Sequence, residues 1–123
     1  MTTSASLLVA HGIILLFAPD FLSRLFNLTN GPEGSAAAQL FGAALIGFGL
    51  MNWTARGVVL GGIYGRALVY GNFVHSFVGF LVGMRARLGG FSNEYFWIEV
   101  ALYLAFAILF GAMLFRGPSP QTK

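Results

Sequence analysis

Five side chains in this sequence could do chemistry from within apolar surroundings: His11, Asn72, His75, Ser76 and Glu99. Two neutral imidazoles at one membrane depth, as His11 and His75 would be, can ligate a haem iron from both sides, hold a quinone or pass a proton. An imidazole beside a carboxylate, as a His75 and Glu99 pair would be, lowers the cost of burying the acid and can move a proton or grip a cation. Each residue also has a plainer role, and that is the expected one. A lone histidine hydrogen-bonds a neighbouring helix, Asn72 and Ser76 join helices by hydrogen bonds, and Glu99 rises to the interface to meet Arg85 or Arg87.

Those residues must be positioned by long apolar elements. The stretch from Gly62 to Met84 has 23 residues, enough at about 1.5 Å per helical residue to cross a hydrocarbon core of ~30 Å. At 100° per residue, Gly61, Gly65, Leu68, Asn72, Ser76, Gly79 and Gly83 share a sector of roughly 80°, with His75 at its margin, so this sector is expected to be buried. Arg66 lies on another side, one turn inside the helix start, where it can snorkel to headgroups beside Arg56.

The composition agrees: 57% of the 123 residues are hydrophobic and 9% charged, far below the roughly 25% charge of soluble domains. Without cysteine there are no disulfides, thiolate metal sites or cysteine nucleophiles. The net charge of +3 is spread singly along the chain, which speaks against nucleic acid as a partner and for topology and lipid headgroups. No charged n-region precedes the first apolar run and no cleavage site follows it, so it is expected to stay as a span rather than leave as a signal peptide.

The predicted fold is all-α, one membrane domain over residues 1–123: a four-transmembrane-helix bundle with a short interfacial helix after the first span. The first span, 3–18, is only just long enough before Pro19 ends it. Residues 19–26 divide into an apolar set (Phe21, Leu22, Leu25, Phe26) and a polar one (Asp20, Ser23, Arg24), as an interfacial helix would. Asn27-Leu28-Thr29 matches a glycosylation acceptor, and Asn30-Gly31-Pro32 marks a turn.

The second span, 35–53, is uncharged, capped by Ser35 and closed by Trp53. Its Ala38/Gly42 and Ala43/Gly47 pairs repeat the small-xxx-small spacing, so two neighbours can pack on two sides. The third span, 62–84, ends in Arg85, Arg87 and a Gly-Gly break. Ser92 or Asn93 caps the fourth, 95–115, and a tail follows at 116–123. Tyr64, Tyr70, Tyr95 and Tyr103, with Trp53 and Trp97, read as interface belts.

Four crossings would place Arg56, Arg66, Arg116 and Lys123 on one side and Arg24, Arg85 and Arg87 on the other. That split favours both termini inside, in a bacterial inner membrane.

Leu15-Leu16-Phe17-Ala18-Pro19-Asp20, the run from Leu40 to Trp53, Arg66 and Asn72 together resemble a broad group of small, uncharacterised bacterial integral membrane proteins of four spans. The resemblance covers most of the chain and implies architecture without an activity. The run from Asn72 to Gly79 is also similar to the Asn-x-x-Gly-Ser-Phe span of small dual-topology fluoride channels. His75 replaces the glycine there, and the paired-Thr and Phe-Ser segment is missing, so that likeness is set aside.

No Gly-x-Ser-x-Gly, Walker loop or His-Glu-x-x-His occurs. An enzyme is thus the weaker class. The leading expectation is a structural, accessory or scaffold protein of the membrane, with a homo-oligomer or another membrane protein as partner. A small transporter or channel along Asn72, His75, Ser76 and Glu99 is the alternative, and a haem or quinone protein using His11 and His75 a further one.

Overall fold

The computed structural model describes residues 1–26, 31–57 and 63–115. The glycosylation pattern and Asn30, Gly61, Gly62 and the tail 116–123 lie outside the described residues. The described residues form five α-helices and one 3-10 turn, with no strand among them: α1 (Thr2–Phe17), α2 (Pro19–Leu25), α3 (Pro32–Thr54), the 3-10 turn Ala55–Gly57, α4 (Ile63–Leu88) and α5 (Phe96–Phe115). Three stretches, within α3 and its 3-10 extension, α4 and α5, are long and apolar enough to cross a membrane. The remaining helices, α1 and α2, are bent by 99° at a break between them and reach the length of a crossing only if counted together.

That bend follows from Pro19. Proline cannot donate to the carbonyl one turn back, and its ring pushes the preceding residue out of the helical region. Ala18 accordingly takes φ −136° and ψ 54°. Gln39 of α3 donates from Nε2 to the Leu16 carbonyl at 3.2 Å, covering one acceptor left open where α1 ends. The helix expected over 19–26 is thus present as α2.

Helix α3 starts three residues before the expected second span. Ser35 is not its cap but lies inside the first turn, its N–H bonded to the Gly31 carbonyl at 3.2 Å. Pro32 holds the first helical position and Glu33 follows in the first turn, an arrangement that starts a helix without a side-chain cap.

The chain divides into two compact units, Met1–Gly57 and Val58–Lys123. In the first, α1 and α3 run antiparallel at very close approach. A Cβ added to Gly12 would lie 2.6 Å from the Gly42 carbonyl oxygen, and one added to Gly42 would lie 2.8 Å from that of Gly12. One turn pair further along, a Cβ on Gly49 would meet the Ala5 carbonyl at 3.0 Å. The buried face of α3, Gly42, Leu45, Gly49 and Asn52, repeats at three and four residues, the spacing of a helix pair packed along a shallow crossing. The expected Ala38/Gly42 face is therefore a contact face. Ala43 and Gly47 are exposed, with open space around Gly47.

In the second unit, α4 and α5 also run antiparallel, but glycine meets bulk rather than glycine. Val100 fills the space over Gly83, Tyr103 that over Gly79, and Phe73 of α4 lies 3.2 Å from where a Cβ on Gly111 would be. The buried face of α4 matches the expected sector at each described position: Gly65, Asn72, Ser76 and Gly83 are buried, Leu68 and Gly79 half-buried.

The turn between α4 and α5 is tightly specified. The N–H of Phe91 bonds to the Ala86 carbonyl and that of Gly90 to the Arg87 carbonyl, each at 3.1 Å. Gly90 has φ +97°. These are the two bonds and the left-handed residue of a Schellman ending, which explains why the helix stops at a Gly-Gly pair. Asn93 then accepts the Tyr95 N–H at 2.9 Å on Oδ1, in the turn that leads into α5 at Phe96.

Candidate functional site

The buried polar groups of the second unit gather along the α4/α5 contact. Asn72 and Ser76 are 2% and 4% exposed, one turn apart on the face that α4 buries. Asn72 donates from Nδ2 to the Leu68 carbonyl at 2.9 Å. Its amide is thus in part satisfied within its own helix, as apolar surroundings require.

His75, at the margin of that face, is half-buried, with its Nε2 shielded from solvent. Its ring lies against that of Tyr103, with centroids 5.6 Å apart and planes tilted by 58°. Tyr103 occupies this place because Gly79, one turn beyond His75, has no side chain to displace it. Glu99 is half-buried one turn before Tyr103 on α5. An imidazole of α4 therefore meets a phenol of α5, a carboxylate lies one turn from that phenol along α5, and an amide and a hydroxyl are buried on α4. Groups of this kind can exchange protons or hold a small polar ligand.

Tyr103 is the member that sequence reasoning missed. It read as an interface aromatic, although its distance from the start of α5, about 10 Å by the helical rise, puts it well inside the helix. The signal was its i, i+4 spacing from Glu99 together with Gly79 across the contact.

His11 is half-buried on α1 in the first unit, next to Gly12 at the close contact with α3. Arg24 on α2, Arg66 in the first turn of α4 and Arg85 are exposed. Arg56 donates from Nη1 to the Trp53 carbonyl at 2.7 Å and sits 4.4 Å above the Trp53 ring. Arg87 donates from Nη1 to the Phe91 carbonyl at 2.6 Å and sits 4.7 Å above the Trp97 ring. Among the described residues, no three His, Cys, Asp or Glu side chains come together as a metal site.

Compared with protein-family models, curated proteins and solved structures, the chain matches none.

Proposed function

We propose that this chain is a four-span integral membrane protein of a bacterial inner membrane, with a structural, accessory or scaffold role. In this reading α1 supplies the first crossing and α2 lies along the interface. Both termini face the cytoplasm, on the side that collects four of the seven basic residues. The apolar exterior supports the membrane part of the reading, since only 17–22% of each long apolar window is buried.

The observation that carries the scaffold part is the second small-residue face of α3. Ala43 and Gly47 are exposed, with nothing within 4 Å of a Cβ built at Gly47. In lipid, apolar surface alone gives helices no drive to associate, and such faces are where backbones come close. Light scattering in detergent micelles tests it. A mass of two or more chains is expected, falling to one chain in Gly47→Leu. A wild-type monomer at all concentrations would overturn the scaffold role.

A second reading is favoured by the contact of His75 with Tyr103 one turn from Glu99: transfer of protons or small ions along α4 and α5. Flux into reconstituted vesicles, wild type beside Glu99→Gln, decides it, and equal leak in both would remove it.

A further inference from the structure

The turn that joins α4 to α5 holds Arg87 in an arrangement that its structural duty does not use up. A guanidinium has five N–H donors in a planar fork. The Phe91 carbonyl takes one of them, at 2.6 Å, and the Trp97 indole covers one face at 4.7 Å. The carbonyl is itself fixed, because Phe91 closes the Schellman ending through the Ala86 carbonyl and its ring meets that of Phe96 edge-on at 4.8 Å.

Arg87 is thus half-buried and held, and among the described residues its remaining donors meet no acceptor. Holding a guanidinium in advance removes much of the ordering cost of binding an oxyanion, and its fork matches two oxygens of a phosphate. The surroundings say which phosphate. Leu88, next to Arg87 in sequence, is 83% exposed and Ile98, next to Trp97, 60%, so apolar side chains are open at the same end of the two apolar helices. Arg85, exposed two residues earlier, adds a second positive charge to the same helix end.

A free phosphate has no use for the apolar flanks, whereas a lipid uses both parts, headgroup on arginine and chain on leucine and isoleucine. We propose that the α4/α5 turn is a binding site for the phosphate of an anionic membrane lipid, with Arg87 as its main ligand and Trp97 as the platform that holds it. Arg56 over Trp53 repeats the same pairing of guanidinium, indole and backbone carbonyl at the end of α3.

Trp97 reports on its own site. The chain has two tryptophans, so Trp53→Phe leaves Trp97 as the sole indole. In vesicles of phosphatidylcholine containing either brominated phosphatidylglycerol or brominated phosphatidylcholine, the anionic lipid should quench Trp97 with a relative binding constant about fivefold higher. Arg87→Gln should bring the two lipids to parity. Arg87→Lys, which keeps the charge but not the fork, should retain part of the preference. Arg85→Gln should retain most of it. Circular dichroism confirms that each variant keeps its helices, and if Arg87→Gln fails to fold, the lysine variant takes its place. Equal quenching by the two lipids in the Trp53→Phe protein would overturn the site, as would a preference that survives Arg87→Gln. Relief of the preference by inorganic phosphate would also overturn it, by making the ligand a soluble anion.

Discussion

The amide of Asn52 donates from Nδ2 to the hydroxyl of Ser4 at 3.2 Å, joining the start of α1 to the end of α3 across 48 residues of chain. Asn52 is 0% exposed, and the Ser4 hydroxyl in turn donates a hydrogen bond to the Met1 carbonyl at 2.8 Å. The bond fixes the register at which the glycines of α1 and α3 meet, because a shift of either helix would strand a buried amide. Asn52→Leu should destabilise the first unit by about 1 kcal/mol, the range of interhelical bonds in membranes. Unfolding in mixed micelles, with Ser4→Ala and the double variant, measures the coupling. Losses that simply add would mean that the two side chains do not act together.

Gly42 and Gly47 lie five residues apart on α3 and should respond oppositely to alanine. A Cβ on Gly42 would stand 2.8 Å from the Gly12 carbonyl oxygen, 2.9 Å from the Leu15 Cβ and 3.0 Å from the Leu16 nitrogen. Two of these three atoms are backbone and the third is fixed to it, so only separation of the helices relieves the overlap. Gly42→Ala should cost about 1–3 kcal/mol. Gly47→Ala meets nothing and should be neutral or stabilising by up to about 1 kcal/mol. Unfolding midpoints of the two variants at low protein concentration settle the contrast, and equal losses would refute the close contact.

The long elements were legible in the sequence because helices in lipid need a continuous apolar run, and the breaks at Pro19, Gly31-Pro32 and Gly89-Gly90 are strong local signals. The buried sector of α4 was legible for the same reason: Asn72 and Ser76 cannot face lipid, and glycines at its period mark a close neighbour. What each helix meets was less so. Small-residue spacing marked both faces of α3 equally, and nothing local told Gly42, which touches α1, from Gly47, which is open. Tyr103 was misplaced because an aromatic with a polar end suits an interface and a glycine-floored contact equally well. Ser35 was misread as a cap because Ser outranks Gly at that position, whereas Pro32 sets the start three residues earlier. The Asn52 to Ser4 bond was invisible, since it depends on the register of two helices and on no local pattern.

Gly90 carries the one positive φ noted among the described glycines, +97°, so its replacement tests the turn rather than the packing. Nothing lies within 4 Å of a Cβ there, and the penalty for Gly90→Ala is the left-handed backbone alone, about 1–2 kcal/mol. Gly57→Ala, equally open but without a positive φ, should cost less. Because Phe91 would lose its place opposite Ala86, Arg87 should loosen from Trp97 as well. A red-shifted Trp97 emission in Gly90→Ala, in the Trp53→Phe background, is the expected sign. An unshifted spectrum would show that the turn does not hold the arginine.

Gly79 and Tyr103 give the sharpest test of the seam between α4 and α5. A Cβ on Gly79 would fall on the edge of the Tyr103 ring, overlapping Cε1 and Cδ1. Moving the ring away would disturb its contact with His75, 5.6 Å off between centroids. Gly79→Ala should therefore cost about 1–3 kcal/mol through overpacking. A smaller residue opposite should absorb the methyl, so Gly79→Ala in a Tyr103→Leu background should cost much less than in the wild type. That difference, read from unfolding in mixed micelles, is the energy of the clash itself, free of any general dislike of alanine at this position. The single variant should also part His75 from Tyr103 and, if protons pass along this line, slow their flux into vesicles without touching Glu99. A loss equal in both backgrounds would mean that Tyr103 does not occupy the space above Gly79.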